Sequence, residues 1–204
     1  MFIRTSRPVG RIQPGMDSTP KFEPADAIAL LIRTPAALSS LLRDLPELWI
    51  RQTEGPDTWT VYDTIGHMVV IERTDWMPRV RSILENAAAG NNSPKTFGPV
   101  DRFAQLKLPN DRPLDQLLDE FATLRSANLR ELQSLNIQPK DLRQQGNHPA
   151  FGAVTLAELL ATWAVHDLTH LHQITRVMAH QYRAAVGPWS AYLGVLQCNG
   201  HSAP

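Results

Sequence analysis

A long stretch without proline or glycine, from Thr155 to Tyr182, constrains the fold more than any other part of the chain. Its apolar residues recur at the spacing of one helical face. They are Leu156, Leu159, Leu160, Trp163, Leu171, Ile174 and Val177. Thr155 with Glu158 three residues later is typical of a capping box, and Gly187-Pro188 is a stop signal beyond the end. The stretch therefore predicts one long helix that buries an apolar face.

Two histidines within this helix, His166 and His170, are spaced for metal binding. Residues four apart lie about 40° and about 6 Å from each other on a helix, so both imidazoles can lean toward one point. By the same geometry His172 points about 160° away from His170, and His180 lies about 15 Å further along the axis. We interpret these two as surface or structural residues. A pair alone does not define a site, because such pairs also occur as hydrogen-bonded core residues, and a third ligand must come from elsewhere.

Composition argues against several functional classes. The 204 residues include 20 basic and 20 acidic side chains, so no net field favours nucleic acid or an anionic membrane. We find no apolar run that approaches a membrane span and no apolar segment typical of a signal peptide, which predicts a cytoplasmic protein. A single cysteine, Cys198, excludes an internal disulfide framework and has no thiol motif around it.

Three further helices accompany the long one. Amphipathic spacing and boundary residues predict them at Pro24 to Leu45, at Thr60 to about Glu85, and at Pro113 to about Leu135. Pro35 should kink the first of these helices or start a second segment. A short terminal helix after Trp189 completes the prediction. With no strand alternation and no repeat, the pattern predicts an all-α four-helix bundle over residues 24–204, preceded by an irregular leader over residues 1–23.

His67, early in the second helix, is the candidate third ligand. Its position alone fits a metal ligand no better than a partly buried histidine that is hydrogen-bonded to a neighbour. Asp63, four residues earlier, could orient its ring or only complete the helix cap. Glu72 and Asp167 are, with Asp63, the only other candidate general bases, although such carboxylates are more often solvated or supporting groups.

The connection over residues 87–112 is unusually long for a compact domain. It is rich in glycine, proline and asparagine and also carries Phe97, Phe103 and Leu106. Loops of this kind are commonly functional lids or connectors. We therefore predict that it packs on the bundle and controls ligand access.

Three motifs resemble the DinB-like superfamily: Trp59-Thr60 followed by Gly66-His67, HDLTHLHQ at 166–173, and QYRAAVGPW at 181–189. The resemblance covers most of residues 25–197. It implies a four-helix bundle, often dimeric, that holds a divalent metal, usually zinc or nickel, on three histidines. Carried over to this chain, the ligands would be His67, His166 and His170. Gln173 takes the place of the family's glutamine and would support the site, whereas His172 stands where the family usually has a small residue.

The resemblance implies a metal-dependent hydrolase or a thiol S-transferase that acts on a small molecule. Three histidines leave a coordination position open for water or substrate, as in catalytic zinc sites. Expected partners are a small-molecule substrate, such as a low-molecular-weight thiol, and a second copy of the chain bound through the first and last helices, but no nucleic acid or membrane. Two alternatives stay open. One is a bundle that binds a metal or a small ligand without catalysis, and the other is a structural bundle whose histidines are hydrogen-bonded core residues.

Overall fold

The predicted long helix is α7, Leu156–His180, in the computed structural model, which describes residues 21–198 except 92, 102 and 108–110. Its capping box is present as predicted. The hydroxyl of Thr155 accepts a hydrogen bond from the Glu158 amide, and the Glu158 carboxylate accepts one from the Thr155 amide. These bonds satisfy backbone donors that a helix start otherwise leaves unpaired.

The other helices form around α7. They are α1 Pro24–Leu31, α2 Thr34–Leu42, α3 Glu47–Arg51, α4 Val61–Thr74, α5 Trp76–Ala88 and α6 Leu114–Ser134. Helix α4 packs against α6 and α7, α1 and α5 pack against α7, and α2 packs against α6. The all-α prediction of a four-helix bundle is confirmed. Two of its four arms are each divided into two helices: α1 and α2 form the first arm, and α4 and α5 form the second arm. After Trp189 the expected terminal helix is present only as 3₁₀ turns, Gly187–Tyr192 and Gly194–Leu196.

The second arm is not the single helix that the sequence predicts, because it breaks at Asp75 between α4 and α5. Pro78 explains the break. Proline has no amide hydrogen to donate to the carbonyl of Thr74, four residues earlier, and its ring would clash with that carbonyl.

The first arm breaks as predicted, since Ile32 and Arg33 form a turn and Pro35 lies in the first turn of α2. By length and composition Pro24–Leu42 does meet the criterion for a membrane-crossing helix, contrary to the sequence expectation. Helices of protein cores meet the same criterion. Here Leu31, Leu38 and Leu42 are buried within the bundle. The division into a leader over residues 1–23 and a bundle domain over residues 24–204 stays a prediction, since residues 1–20 lie outside the described residues.

A β-hairpin precedes α7, which the sequence did not predict. Strand β1, Gln145–His148, pairs antiparallel with β2, Gly152–Thr155. The long connection joins this hairpin: the Phe97 amide donates to the Asn147 carbonyl at 2.9 Å, and the Asn147 amide donates to the Lys95 carbonyl at 2.9 Å. Strands of four residues are too short to show an alternating pattern of apolar and polar residues. The contacts that form them join residues distant in sequence, which a local pattern does not show.

Glycine is required at position 146 because Phe97, in the long connection, packs directly against its backbone. A β-carbon at this position would lie 2.2 Å from Cζ of the buried Phe97 ring and 3.1 Å from a carbon of Ile83. We expect Gly146→Ala to destabilise the protein by about 1–3 kcal/mol, the usual cost of overpacking a core. Urea unfolding measures this, with Gly55→Ala as the control because no atom lies within 4 Å of its added carbon. An unchanged midpoint for Gly146→Ala would contradict the contact.

The bundle core is divided into two apolar clusters with polar groups between them. One cluster joins α1, α5, the end of α6 and the first half of α7, and the other joins α2, the first halves of α4 and α6, and the second half of α7. The buried polar residues between them are His67, Glu72, Arg125, Asp167 and His170. The middle layer therefore contains both the buried ion pairs of Arg125 and the buried histidines His67 and His170.

Candidate metal centre

The three predicted histidines converge in this polar layer. His67 comes from α4, and His166 and His170 come from adjacent turns of α7. Nε2 of His166 lies 3.4 Å from Nε2 of His67 and 3.1 Å from Nε2 of His170. One ring nitrogen of each histidine lies within 4.8 Å of those of the other two. The geometry therefore gathers three potential ligand atoms at one point.

These spacings match the dimensions of a metal shell. Imidazole nitrogens bind Zn²⁺ at about 2.0–2.1 Å, which places two such nitrogens about 2.9 Å apart in an octahedron and about 3.4 Å apart in a tetrahedron. The separations of Nε2 of His166 from those of His67 and His170, 3.4 and 3.1 Å, fall within that interval. Two neutral imidazoles can share only one hydrogen bond, so three facing nitrogens are explained better by a shared cation than by mutual hydrogen bonding.

Gln173 sets the orientation of His170, as the resemblance implied. Nδ1 of His170 lies 2.9 Å from Oε1 of Gln173, one turn along the helix. The amide oxygen can only accept, so Nδ1 carries the hydrogen and donates it, which leaves the lone pair of Nε2 directed at the other histidines. Burial lowers the pKa of His170, against the opposing effects of Gln173 and the charge of Asp167. The ring is therefore held in the neutral form that binds metal.

A family model for the DinB superfamily matches residues 30–174. The chain belongs to the DinB superfamily. Among solved structures it is similar to YfiT from Bacillus subtilis, described as a probable metal-dependent hydrolase with an unusual four-helix bundle topology. That similarity has a TM-score of 0.65 at 18% sequence identity and covers 87% of this chain and 95% of the YfiT chain. No functionally curated protein sequence matches the chain significantly.

The histidines of this DinB-superfamily chain open into a cavity of about 820 Å³. One wall is a single face of α7, which runs for about 27 Å from Glu158 to Arg176 at 1.5 Å per residue. Its lining residues on α7 are Glu158, Leu159, Thr162, His166, Thr169, His170, Gln173 and Arg176. The other walls come from residues 54–59, α5, the connection after α5, and the hairpin. The candidate ligands His166 and His170 therefore sit midway along an elongated cavity.

Two tryptophans pack against the histidines. The Trp59 ring lies 4.9 Å from that of His67 and is stacked on His170 at 6.5 Å, while Trp76 contacts His166 edge to face at 5.1 Å. Indole rings restrict the rotation of the imidazoles and exclude water from their sides. Neither tryptophan is among the site residues predicted from the sequence, although Trp59 lies within one of the motifs that carry the resemblance.

None of the three candidate general bases faces the histidines as a free carboxylate. Asp63 completes the α4 cap, accepting hydrogen bonds from the Thr60 amide and hydroxyl at 3.0 and 2.7 Å. Asp167 accepts two bonds from the Arg125 guanidinium, at 2.6 and 2.8 Å, and Glu72 accepts one at 2.8 Å. Glu72 and Asp167 are thus bound to Arg125, and Asp63 completes the cap, while its orienting of the His67 ring stays a prediction.

Arg125 is the residue that sequence reasoning missed. It joins α6 to α4 and α7 and also donates to the Leu31 carbonyl at 2.9 Å. Burial alone would lower the pKa of Arg125, but its bonds and charge interactions with Asp167 and Glu72 outweigh that effect and raise it. A signal was present in the sequence, because Arg125 lies on the apolar stripe of α6 between Phe121 and Leu129.

Two ion pairs line the cavity. Arg176 on α7 binds Glu54 through two bonds of 2.7 and 2.5 Å, with both side chains largely buried. Arg79 on α5 binds its neighbour Asp75 at 2.6 Å, and its guanidinium lies 5.0 Å from the Phe97 ring. Each positive charge is thus compensated within the wall, and a substrate meets an ion pair rather than a free cation.

We expect Gln173→Leu to weaken zinc binding about 10–100-fold, the usual loss when a histidine ligand loses its hydrogen-bond partner. The leucine keeps the size of the side chain but cannot accept from Nδ1 of His170, so the ring orientation and tautomer are no longer defined. Competition with a fluorescent chelator measures the change. Gln181→Leu, at the C-cap of α7, is the control and should bind zinc like wild type. Equal affinities for all three proteins would show that Gln173 has no such role.

The pKa of His170 also predicts how stability of the metal-free protein depends on pH. Its folded value lies below the ordinary value of 6.5, so the unfolded chain takes up a proton first as pH falls. Stability from this group is complete above about pH 6.5 and declines below it until the folded pKa is reached. Urea unfolding of wild type and His170→Gln between pH 7.5 and about pH 5 should show a shallower decline in the variant. Parallel curves would contradict this.

Proposed function

We propose that this protein binds one divalent metal ion through His67, His166 and His170 and acts on a small molecule at that centre, as a hydrolase or a thiol S-transferase. The observation that supports this most strongly is that Nε2 of His166 lies within 3.4 Å of Nε2 of both His67 and His170, in the wall of one cavity. When bound, the metal supplies a Lewis acid that lowers the pKa of a water or thiol reaching its open position. YfiT, the similar structure, is itself described as a probable metal-dependent hydrolase.

The chain's own residues would prepare the site in three ways. Gln173 orients His170, the two tryptophans shield the imidazoles, and the ion pairs around Arg125 hold together the helices that carry the ligands. A cavity of about 820 Å³ lies within the range of small-molecule sites. These features support a substrate of drug-like size rather than a macromolecule.

Zinc or nickel is the metal we propose, because three neutral imidazoles suit both ions. We further propose a homodimer in the cytoplasm. Part of the connection over residues 87–112 lines the cavity through Phe97, Pro99, Val100 and Phe103. Its movement as a lid stays a prediction.

Turnover by metal-loaded protein tests the proposal. The metal-free chain is loaded with one equivalent of Zn²⁺ or Ni²⁺ and assayed for hydrolysis of p-nitrophenyl esters and for conjugation of cysteine to an aryl chloride. We expect one of the two activities to require metal and to be lost in His67→Ala but kept in His172→Ala, which removes an exposed histidine of α7. Stoichiometric metal binding without either activity would favour the non-catalytic binding bundle instead.

A further inference from the structure

Aromatic side chains from the connection after α5 and from the hairpin line part of the cavity. We call this set the aromatic rim and define it as Phe97, Phe103, His148 and Phe151, all of which line the cavity. Phe97 is buried, but Phe103 and Phe151 are 44% and 74% exposed. Large apolar side chains exposed at the edge of a cavity commonly mark a surface that a ligand covers.

The rim is held in a defined arrangement. His148 stacks on Phe151 with ring centroids 4.5 Å apart and planes 15° from parallel, and its Nδ1 accepts a hydrogen bond from the Ala150 amide at 3.2 Å. Phe97 is fixed by its backbone bond to β1 and by its close fit over Gly146. An exposed aromatic that is already oriented loses little conformational entropy when a ligand binds.

Aromatic contacts also connect the rim to the histidines. Trp59 packs on His67 and meets Phe103 edge to face at 6.2 Å. Val100, Val154 and Leu159 line the same cavity. A molecule whose polar group reaches the three histidines can therefore place an attached apolar group against the rim.

Most of the charged side chains that line the cavity are already engaged. Arg176 is paired with Glu54, Arg79 is paired with Asp75 and lies against the Phe97 ring, and Glu158 caps α7 through Thr155. A charged substituent that gave up hydration beside the aromatic faces of the rim would pay a high desolvation cost. An uncharged apolar substituent has no such cost and gains apolar contact there.

We propose that the substrate carries an uncharged aromatic or bulky aliphatic group that binds against the aromatic rim, with Phe103 and Phe151 as specificity-determining residues. This inference rests on the proposed function, because it assumes that the reacting polar group is held at the three histidines. It adds the chemical class of the rest of the substrate.

Two hydroxamates of different size test the proposal on zinc-loaded protein by isothermal titration calorimetry. Acetohydroxamate and phenylacetohydroxamate share the metal-binding group and differ by one phenyl ring. We expect wild type to prefer the phenyl compound by at least about 10-fold, as apolar contacts of this size allow. Phe151→Ala and Phe103→Ala should each reduce the preference about 2–10-fold, the range of one aromatic contact, with acetohydroxamate affinity unchanged. Phe151→Leu should keep most of the preference.

Tyr192→Ala is the matched control, because Tyr192 is 84% exposed and is not among the residues that line the cavity. It should leave both affinities unchanged. Equal affinities of wild type for the two hydroxamates would overturn the rim proposal, and so would an unchanged preference in both phenylalanine variants. In either case, hydroxamate binding would still support the metal centre. Failure of both compounds to bind would overturn the centre and the rim together. A change of oligomeric state in Phe151→Ala by sedimentation would show that protein covers the rim, and would also overturn it.

Discussion

Replacing His67 by alanine should weaken zinc binding by more than about 100-fold, a larger loss than removal of a ligand's hydrogen-bond partner causes. Only His166 and His170 would remain, two nitrogens from one helix, and the ion would lose its bond to α4. The same change should remove the stabilisation that zinc gives the fold. At a free zinc concentration about 1,000 times the dissociation constant, that stabilisation is about 4 kcal/mol in wild type.

Chelator competition and thermal unfolding with and without zinc measure both effects. His172→Ala is the control, since its side chain is exposed on the same helix. A double variant, His166→Ala/His170→Ala, should bind zinc no better than His67→Ala. Unchanged zinc affinity in His67→Ala would mean that the ion, if it binds, is held elsewhere.

Replacing Arg125 by methionine should lower the free energy of unfolding by about 3–5 kcal/mol, the cost of leaving a buried charge without its partner. The Arg125 side chain is 2% exposed, and Glu72 and Asp167 are each 1% exposed. Without the guanidinium both carboxylates would stay buried beside each other, or would take up protons. Urea unfolding of the metal-free protein at pH 7 measures the loss.

Two further variants make the Arg125 experiment specific. Arg130→Met removes an exposed arginine of α6 and should change stability by less than about 0.5 kcal/mol. The combination Arg125→Met/Glu72→Gln/Asp167→Asn removes the unpaired charges and should recover part of the loss. If Arg125→Met lowered the free energy of unfolding by less than about 1 kcal/mol, water or a shift of α6 would have to compensate the charges of the two carboxylates.

The helices of the bundle were predictable because their signals are local. Thr60 with Asp63 and Thr155 with Glu158 each form the cap that the spacing indicates, and Pro35 starts a new helix as expected. Pro78 carried an equally local signal for the break at Asp75, since a proline inside a helix removes the hydrogen bond four residues back. The second helix was predicted unbroken because its apolar period continues past that point.

The candidate ligands were predictable for two different reasons. Helical geometry alone paired His166 with His170, whereas His67, on another helix, was assigned through the family resemblance. The partners of Arg125 could not be predicted, because Glu72, Asp167 and Leu31 are brought to it only by the packing of three other helices. The hairpin depends in the same way on Lys95 and Phe97, which bond to Asn147 across about fifty residues of chain.

X-ray absorption spectroscopy of zinc-loaded protein tests the central claim most directly, because it counts the ligands of the ion and measures their distances. We predict three imidazole nitrogens at about 2.0–2.1 Å and at least one further light ligand in the open position. The His67→Ala protein, loaded at the zinc concentration that its weaker affinity requires, should show two imidazoles. A spectrum of wild type with sulfur ligands, or with fewer than three imidazoles, would contradict the three-histidine centre.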